Sequence, residues 1–413
     1  MMLTEEYLGA SRLFRRLKSG PHGQLVELYA AHLVEVGLAR DGTWRSLNLV
    51  SDLLSWIGRS RCILVDLDER MVGRYLRHRA RKQSIQRGDR AALTRWLLVL
   101  RQAGTIAPPA TSPITWQDQM SAEFGDYLQK ERGLAPRTIV RRLPTIRQFL
   151  REVCPVRGDL GKIGQADVVR YVERHAGDGS PRSGQMMCSS LRGFLRYLHH
   201  KGLNPAPLAG CVPSIRQWKL AHLPTYLSAE QVQNVLNSCD RATAIGRRDY
   251  AILTMLAKLG LRANEVASLT LDNIDWRCGE IRVHAKGRQR VVMPMPPDVG
   301  TAVVAYLRDG RPKSSCRRLF LRTLAPRIGF ASSYAITMIA KTALDRAGIR
   351  GFAHQGAHLF RHSLATELLK SGATLSEIGQ LLRHKSHDTT RIYAKVDIDA
   401  LRTLSLPWPG GAQ

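Results

Sequence analysis

Apolar residues recur three and four positions apart along most of this chain, and that spacing predicts a mainly α-helical protein. Two proline-containing segments, residues 105–113 and 202–224, interrupt the helical spacing and have the composition of linkers. We therefore predict three domains: two small helical domains at residues 1–112 and 113–215, and a larger third domain at residues 222–413.

The third domain combines helices with a short stretch of β structure. Ser228 and Gln231 form a capping-box pattern that opens an amphipathic helix. Residues 279–284 and 290–295 alternate between apolar and polar types, which predicts an antiparallel β-hairpin. Helical spacing resumes after Ser332. The expected fold class is mainly α with a small antiparallel β-sheet in the third domain.

The two helical domains resemble each other in the positions of their apolar, glycine and tyrosine residues. Matching apolar, glycine and tyrosine positions recur at a nearly constant offset, 96 residues in the first two blocks and 98 in the last. The matched blocks are 37–39 with 133–135, 72–75 with 168–171, and 93–104 with 191–202. Any two amphipathic helix bundles can be aligned to some degree, but a steady offset across three blocks favours duplication. We predict a tandem pair of small helical domains.

The charge of the chain narrows the choice of partner. Lysine and arginine total 62 against 34 aspartate and glutamate residues, a formal net charge of +28. Such a protein is attracted to polyanions, and nucleic acid is the partner that this balance favours. A ribosome-associated or membrane-surface protein would carry a similar charge, so the balance indicates a class of partner and not a function.

Other classes of protein are disfavoured by what the sequence lacks. It has neither a long apolar run nor a signal-peptide pattern, so we expect a cytoplasmic protein that does not span a membrane. The seven cysteines are scattered without a C-x-x-C pair, which fits a reducing compartment and argues against structural zinc. No nucleotide-binding phosphate loop is present.

Three short patterns in the third domain carry candidate chemistry. They are residues 260–266, residues 358–362, and residues 382–384 followed nine positions later by Tyr393. Each alone is weak, since an arginine or histidine on a helix is usually a solvated surface residue. Together they supply what displacement at a DNA phosphate requires: a nucleophile, cationic donors for the nonbridging oxygens, and an acid for the departing 5′-oxygen.

Each role has a candidate side chain. Tyr393 can be the nucleophile, and the planar guanidinium groups of Arg262 and Arg361 match phosphate geometry. His358 and His384 can be further donors. Lys286, at the tip of the predicted hairpin, can be the proton source. This set requires no metal and no cofactor, and the sequence has no cluster of carboxylates that would hold a metal.

The order and spacing of these residues resemble the catalytic domain of the tyrosine recombinases, also called the phage integrase family. Six positions spread over 132 residues match that family's ordered set of Arg, Lys, His, Arg, His and Tyr. The resemblance implies that Arg262 and Arg361 clamp the scissile phosphate and that Tyr393 forms a 3′-phosphotyrosine bond. The supporting residues it implies are the general acid Lys286, the phosphate-binding and proton-handling His358 and His384, and the buttressing Glu265.

The second domain resembles the family's helical core-binding, SAM-like domain. Arginines on its predicted second helix, with one more on the hairpin, are candidate DNA contacts, although a solvated basic face explains any single one equally well. These candidates are Arg137, Arg141, Arg142, Arg147 and Arg288.

The chain departs from the family pattern in two places. A family member usually has one helical domain or a small arm-binding module before the catalytic domain, whereas this chain has an additional helical domain. Arg383 stands where the family usually has glycine before the histidine. We expect this large cation to add a phosphate contact or to displace His384 slightly.

The resemblance implies a site-specific recombinase that cleaves and rejoins duplex DNA at specific sites without metal or ATP, in integration, excision or transposition of a mobile element. It also implies a homotetramer on paired sites, with accessory or co-encoded recombinases as further partners. Apolar residues after Tyr393 predict a helix that either hooks onto a neighbour or packs on its own domain. The rival functions are a type IB topoisomerase-like enzyme and a catalytically silent DNA-binding accessory protein.

Overall fold

The computed structural model describes residues 15, 17–60, 62–86, 88–109, 114–177, 179–215, 224–284, 290–352, 355–384, 386 and 389–395. The chain divides into two compact units, one of them Pro109–Ala221 and the other Met1–Pro108 together with His222–Gln413. Helices make up most of the described residues, as the spacing of apolar residues predicts. The three domain boundaries stay predictions.

The N-terminal residues form a helical bundle with its own core. Its helices are α1 (Gly23–Glu35), α2 (Arg40–Arg59), α3 (Glu69–Ala80) and α4 (Asp89–Gln102). The rings of Tyr29 and Trp96 meet edge to face at 5.2 Å in the centre of this core. The Tyr29 hydroxyl donates to the Ala92 carbonyl at 2.8 Å, so the polar end of this buried ring has a partner.

The unit Pro109–Ala221 is a second helical bundle. Its helices are α5 (Trp116–Lys130), α6 (Pro136–Val153), α7 (Gln165–Ala176) and α8 (Pro181–His200). Phe124 and Phe194 pack edge to face at 5.2 Å within its core. Pro136 and Pro181 open α6 and α8, where a missing backbone N–H costs nothing.

The two bundles share backbone and hydrogen-bond details at the same offset. The hydroxyl of Tyr75 lies 3.5 Å from the Leu49 carbonyl, and the hydroxyl of Tyr171 lies 3.5 Å from the Thr145 carbonyl, so donor and acceptor are both displaced by 96 residues. Left-handed glycines follow the matched helices in both bundles, at Gly37, Gly104, Gly133 and Gly202. The duplication stays a prediction, and these details agree with it.

The C-terminal part combines helices with the sheet. Its elements are α9 (Ala229–Asn237), α10 (Ala244–Leu259), α11 (Ala263–Ser268), β1 (Ile274–Asp275), β2 (Glu280–His284), β3 (Arg290–Pro294), α12 (Pro297–Asp309), α13 (Tyr334–Arg346), α14 (Ala357–Lys370) and α15 (Leu375–Leu381), followed by a 3-10 turn at Arg391–Lys395. The strands form an antiparallel sheet in the order β1-β2-β3, which confirms the predicted hairpin. Its turn, with Lys286 and Arg288, lies outside the described residues, as does the predicted helix after Lys395.

Helix α10 positions the candidate chemistry. It is buried along most of its length and packs against α12 and α14. It ends at Gly260, whose φ of 56° lies in the left-handed region. A Cβ atom here would come within 2.7 Å of the Leu382 side chain, so glycine allows both the turn and the close approach. The turn places Arg262 directly before α11.

Candidate active site

Arg262 and Glu265 form an ion pair at the start of α11. One carboxylate oxygen of Glu265 accepts the backbone N–H of Arg262 at 2.8 Å, and the other accepts the Nη1 group of Arg262 at 2.7 Å. The Glu265 side chain is buried, whereas that of Arg262 is partly exposed. Glu265 therefore caps the helix and holds the guanidinium of Arg262 in place.

Arg361 is a buried cation whose bonds go to the backbone. It lies on α14, and its two terminal nitrogens donate to the carbonyls of Gly260 and Leu382. These carbonyls belong to the ends of α10 and α15, so one guanidinium ties three helices together. Burial, with the nearby charges of Arg262 and Arg383, lowers the pKa of Arg361 to about 9.

Arg383 occupies the position where the sequence departs from the family. Its φ of 54° is left-handed, which explains why glycine is comfortable at this position. Its buried guanidinium donates to Glu265 Oε2 at 3.0 Å and contacts the Met293 sulfur at 2.6 Å. The sequence predicted either a phosphate contact or a slight displacement of His384. The structure directs this side chain inward, toward Glu265 and strand β3.

Tyr393 lies within the 3-10 turn and is almost completely buried. Its hydroxyl is 3.0 Å from Nδ1 of His362, the residue that follows Arg361 on α14. Its ring stacks on that of His384 with the planes 7° apart. Burial raises the pKa of Tyr393 to about 12, although the charges of Arg361 and Arg262 oppose this.

The two histidines beside Tyr393 are held in their neutral forms. Burial, together with the charges of the neighbouring His358 and Arg361, lowers the pKa of His362 to about 4. Burial likewise lowers the pKa of His384 to about 4, with the site arginines adding to the effect. His384 Nδ1 lies 2.7 Å from the hydroxyl of Thr390, which fixes the orientation of the ring.

The structure brings most of the predicted catalytic residues into one cluster. Hydrogen bonds that involve Arg361, Leu382 and Arg383 connect the cluster. Its predicted members are Arg262, Glu265, Arg361, His384 and Tyr393. His358 lies on the first turn of α14 with its side chain exposed. Lys286 lies outside the described residues, so its proton-donor role stays a prediction.

His362 is the site residue that sequence reasoning missed. The motif drew attention to His358 and Arg361 alone. A signal was nevertheless present, because positions four apart on a helix share a face, and His362 is four residues after His358. Its contact with the Tyr393 hydroxyl makes it part of the site.

The DNA-contact candidates of the helical unit differ in their surroundings. Arg137 and Arg141 on α6 are exposed, and Arg142 is partly exposed. Arg147 lies 3.2 Å from Asp118 Oδ1, so a phosphate would compete with this carboxylate. Their role as DNA contacts stays a prediction. The Arg288 candidate lies outside the described residues.

Two features are absent from the residues that the structure describes. No group of three or more histidine, cysteine, aspartate or glutamate side chains is placed to hold a metal ion in that part of the chain. None of the helices described is long and apolar enough to cross a membrane.

Comparison with known proteins gives matches over both of the last two predicted domains. The family profile described as "Phage integrase family" matches residues 225–399, and "Phage integrase, N-terminal SAM-like domain" matches residues 122–202. A "Putative integrase/recombinase y4rA" of Sinorhizobium fredii is 37% identical over 98% of this chain and 99% of its own length. A "Tyrosine recombinase XerD" of Listeria monocytogenes is 30% identical over 66% of this chain and 93% of its own length.

Solved structures share the fold. The XerH site-specific recombinase bound to its difH substrate in a pre-cleavage complex superposes with a TM-score of 0.52 at 20% identity, over 82% of this chain and 95% of its own. A Tn1549 transposon integrase in complex with circular intermediate DNA gives a TM-score of 0.50 at 16% identity, over 70% of this chain and 99% of its own. At these identities the likeness concerns the fold alone.

The neutral His362 and His384 predict a specific pH dependence of stability. Their folded pKa values of about 4 lie below the ordinary value of 6.5, so the unfolded chain binds protons first as the pH falls. The free energy of unfolding should therefore be fully retained above pH 6.5 and decline toward pH 4. The substitution His362→Gln removes one of these proton-binding groups, so the slope of the free energy of unfolding against pH should decrease by the amount that about one bound proton contributes. Urea unfolding between pH 4 and pH 6.5 measures this slope.

The matched control is His284→Gln on strand β2, where the side chain is exposed. It should leave the pH slope of the free energy of unfolding unchanged. Equal slopes in the wild type and His362→Gln would contradict a buried neutral imidazole at this position.

Proposed function

Because the chain belongs to the phage integrase family of tyrosine recombinases, we propose that it is a site-specific DNA recombinase that cleaves and rejoins strands through a 3′-phosphotyrosine bond at Tyr393. The observation that carries the proposal is the meeting of Tyr393, Arg262, Arg361 and His384 in one cluster of a single chain. The relatives named recombinases and integrases, and the solved complexes with DNA, support duplex DNA as the substrate.

Cleavage begins with the Tyr393 oxygen attacking the scissile phosphorus. An O–P bond to tyrosine forms while the bond to the 5′-bridging oxygen breaks. Arg262 and Arg361 stabilise the negative charge on the nonbridging oxygens, with His384 as a further donor. Removing one such donor typically slows a reaction by about 10²–10³-fold. The inward hydrogen bonds of both arginines keep them in place before the phosphate arrives.

His362 takes the proton that Tyr393 loses. Its Nδ1 atom lies within hydrogen-bond distance of the phenol, and burial keeps the imidazole neutral and therefore able to accept a proton. The arriving phosphate adds negative charge, which favours the protonated imidazole. The departing 5′-oxygen is protonated by Lys286, a role that rests on the family resemblance.

Rejoining is the same reaction in reverse. A 5′-hydroxyl attacks the phosphotyrosine, and the released phenolate recovers a proton from His362. The covalent bond conserves the energy of the phosphodiester, and the stabilising groups are side chains of this chain. Neither ATP nor a metal ion is therefore needed for either step.

The finer biology follows the family. We propose that four protomers act together on two paired sites. The reaction would serve integration, excision or transposition of a mobile element, with accessory or co-encoded recombinases as further partners. Its DNA substrate and scattered cysteines favour action in the cytoplasm. We assign residues 1–112 to a duplicate of the core-binding domain at 113–215, and residues 222–413 to the catalytic domain.

Replacing Tyr393→Phe should abolish covalent capture of DNA while leaving binding intact, because only the phenolic oxygen is removed. The measurement uses a substrate nicked beside the cleavage site and a denaturing gel, with EDTA present and no nucleotide added. The wild type should form the adduct under these conditions. An adduct on the Tyr393→Phe variant would rule out this nucleophile, and a strict need for Mg²⁺ would rule out the mechanism.

Replacing His362→Ala should slow cleavage by about 10²–10⁴-fold, the usual contribution of a positioned proton acceptor. The defect should persist on a substrate with sulfur in place of the bridging 5′-oxygen, because a departing thiolate needs no proton. Added imidazole should restore part of the rate. The comparison variant Lys286→Ala should recover on the sulfur substrate. Full recovery of His362→Ala on that substrate would assign His362 to the leaving group instead.

A type IB topoisomerase-like enzyme would use similar residues as a monomer on one DNA site. We expect the Tyr393→Phe variant to assemble four protomers on two DNA duplexes, measured by native mass spectrometry. A one-to-one complex, together with relaxation of site-free supercoiled DNA by the wild type, would favour the topoisomerase. Absence of any covalent adduct on the wild type would favour the silent accessory protein.

A further inference from the structure

The two helical bundles differ in where they place their arginines. Helix α6 of the second bundle has arginines at five positions that are exposed or partly exposed: Arg137, Arg141, Arg142, Arg147 and Arg151. Shifted by 96 residues onto α2 of the first bundle, the same positions hold Asp41, Arg45, Ser46, Ser51 and Ser55. Only one of the five remains an arginine. Helix α2 therefore lacks the arrangement of arginines that α6 carries.

The first bundle has a compact group of exposed arginines around its third helix instead. Arg70, Arg74 and Arg77 are exposed at helical spacing on α3, and Arg90 on the first turn of α4 joins them around a cavity of about 980 Å³. We call these four residues the α3 arginine surface. In the described part of the chain, the guanidinium groups of these four arginines have no hydrogen-bond or ion-pair partner. Their donors are therefore available to an external anion.

Two carboxylates share the cavity with these arginines. Asp68 is already engaged, because its side chain accepts the backbone N–H of Met71 at 2.7 Å and so caps α3. Asp66 is exposed. Four cations and two carboxylates leave the surface positively charged.

The corresponding helix of the second bundle, α7, has no such surface. At the positions of Arg70 and Arg77 it carries Ala166 and Glu173. Its Arg174 pairs with Glu152 at 3.1 Å, so this cation is already matched by an acid. The arginine-rich face of the second bundle is thus on its second helix, and the α3 arginine surface of the first bundle is on its third helix.

We propose that the α3 arginine surface binds the phosphate backbone of duplex DNA beyond the core recombination site, and that the N-terminal bundle therefore engages DNA by a different face from the second bundle. The proposal rests on the proposed recombinase function. Arg70 to Arg77 spans about 10 Å along the helix, enough to follow successive phosphates of one strand. Contacts of this kind position the protein without reading sequence.

The test compares two triple variants of the full-length protein that remove equal charge from the same bundle. One is Arg70→Gln with Arg74→Gln and Arg77→Gln; its control, on α2, is Arg40→Gln with Arg45→Gln and Arg59→Gln. Affinity is measured against salt concentration on a single long duplex containing one site. Each lost phosphate contact flattens the slope of log K by about 0.9, so the α3 triple should lose two to three units and shorten the footprint.

The control triple should change the slope by less than one unit and leave the footprint as it is. Equal losses in both variants would overturn the proposal, because the effect would then reflect net charge and not this surface. An unchanged slope in the α3 triple with loss of strand exchange alone would also overturn it, and would assign the surface to a protein partner. Adduct formation by Tyr393 on a nicked core site is scored in parallel. Its absence in the wild type refutes the recombinase function, whatever the slopes are.

Discussion

The catalytic domain depends on a buried positive charge, that of Arg361. A cation of this kind is costly to bury unless hydrogen bonds and nearby negative charge compensate it. Here the compensation comes from the carbonyls of Gly260 and Leu382, which end two different helices. In the proposed mechanism, the group that stabilises the reaction is thus the same group that fixes the relative positions of α10, α14 and α15. A change at Arg361 would therefore affect both the fold and the proposed phosphate site.

The second constraint is the single carboxylate of Glu265. Its two oxygens serve Arg262 and Arg383, and they also cap the first turn of α11. Glu265 offsets part of the repulsion among three clustered guanidinium groups, repulsion that is visible in the lowered pKa of Arg361. In this chain Arg383 adds a third cation to that balance and links it, through Met293, to strand β3. The sheet therefore supports the site from a distance.

Much of this arrangement could be predicted from sequence, because the determining signals are local. Helical spacing and the alternating strands around the hairpin predicted the elements, and the ordered set from Arg262 to Tyr393 predicted the cluster. The direction of the Arg383 side chain could not be predicted, since it depends on a partner 118 residues away. His362 was missed for a similar reason: its role comes from Tyr393, which lies 31 residues later and reaches it only in the fold.

The state of Tyr393 follows from these constraints. A buried phenol with a raised pKa is a poor nucleophile, yet the same burial keeps the adjoining His362 neutral and ready to accept its proton. The charges of Arg361 and Arg262 oppose the rise in the pKa of Tyr393. In the proposed mechanism, a phosphate that enters between them neutralises part of the charge that favours the phenolate. In that mechanism the proton leaves as the O–P bond forms, and not before, because a free phenolate in this pocket would lose its stabilising cations to the substrate. The proposed coupling of proton loss to attack therefore follows from the burial of Tyr393 and His362.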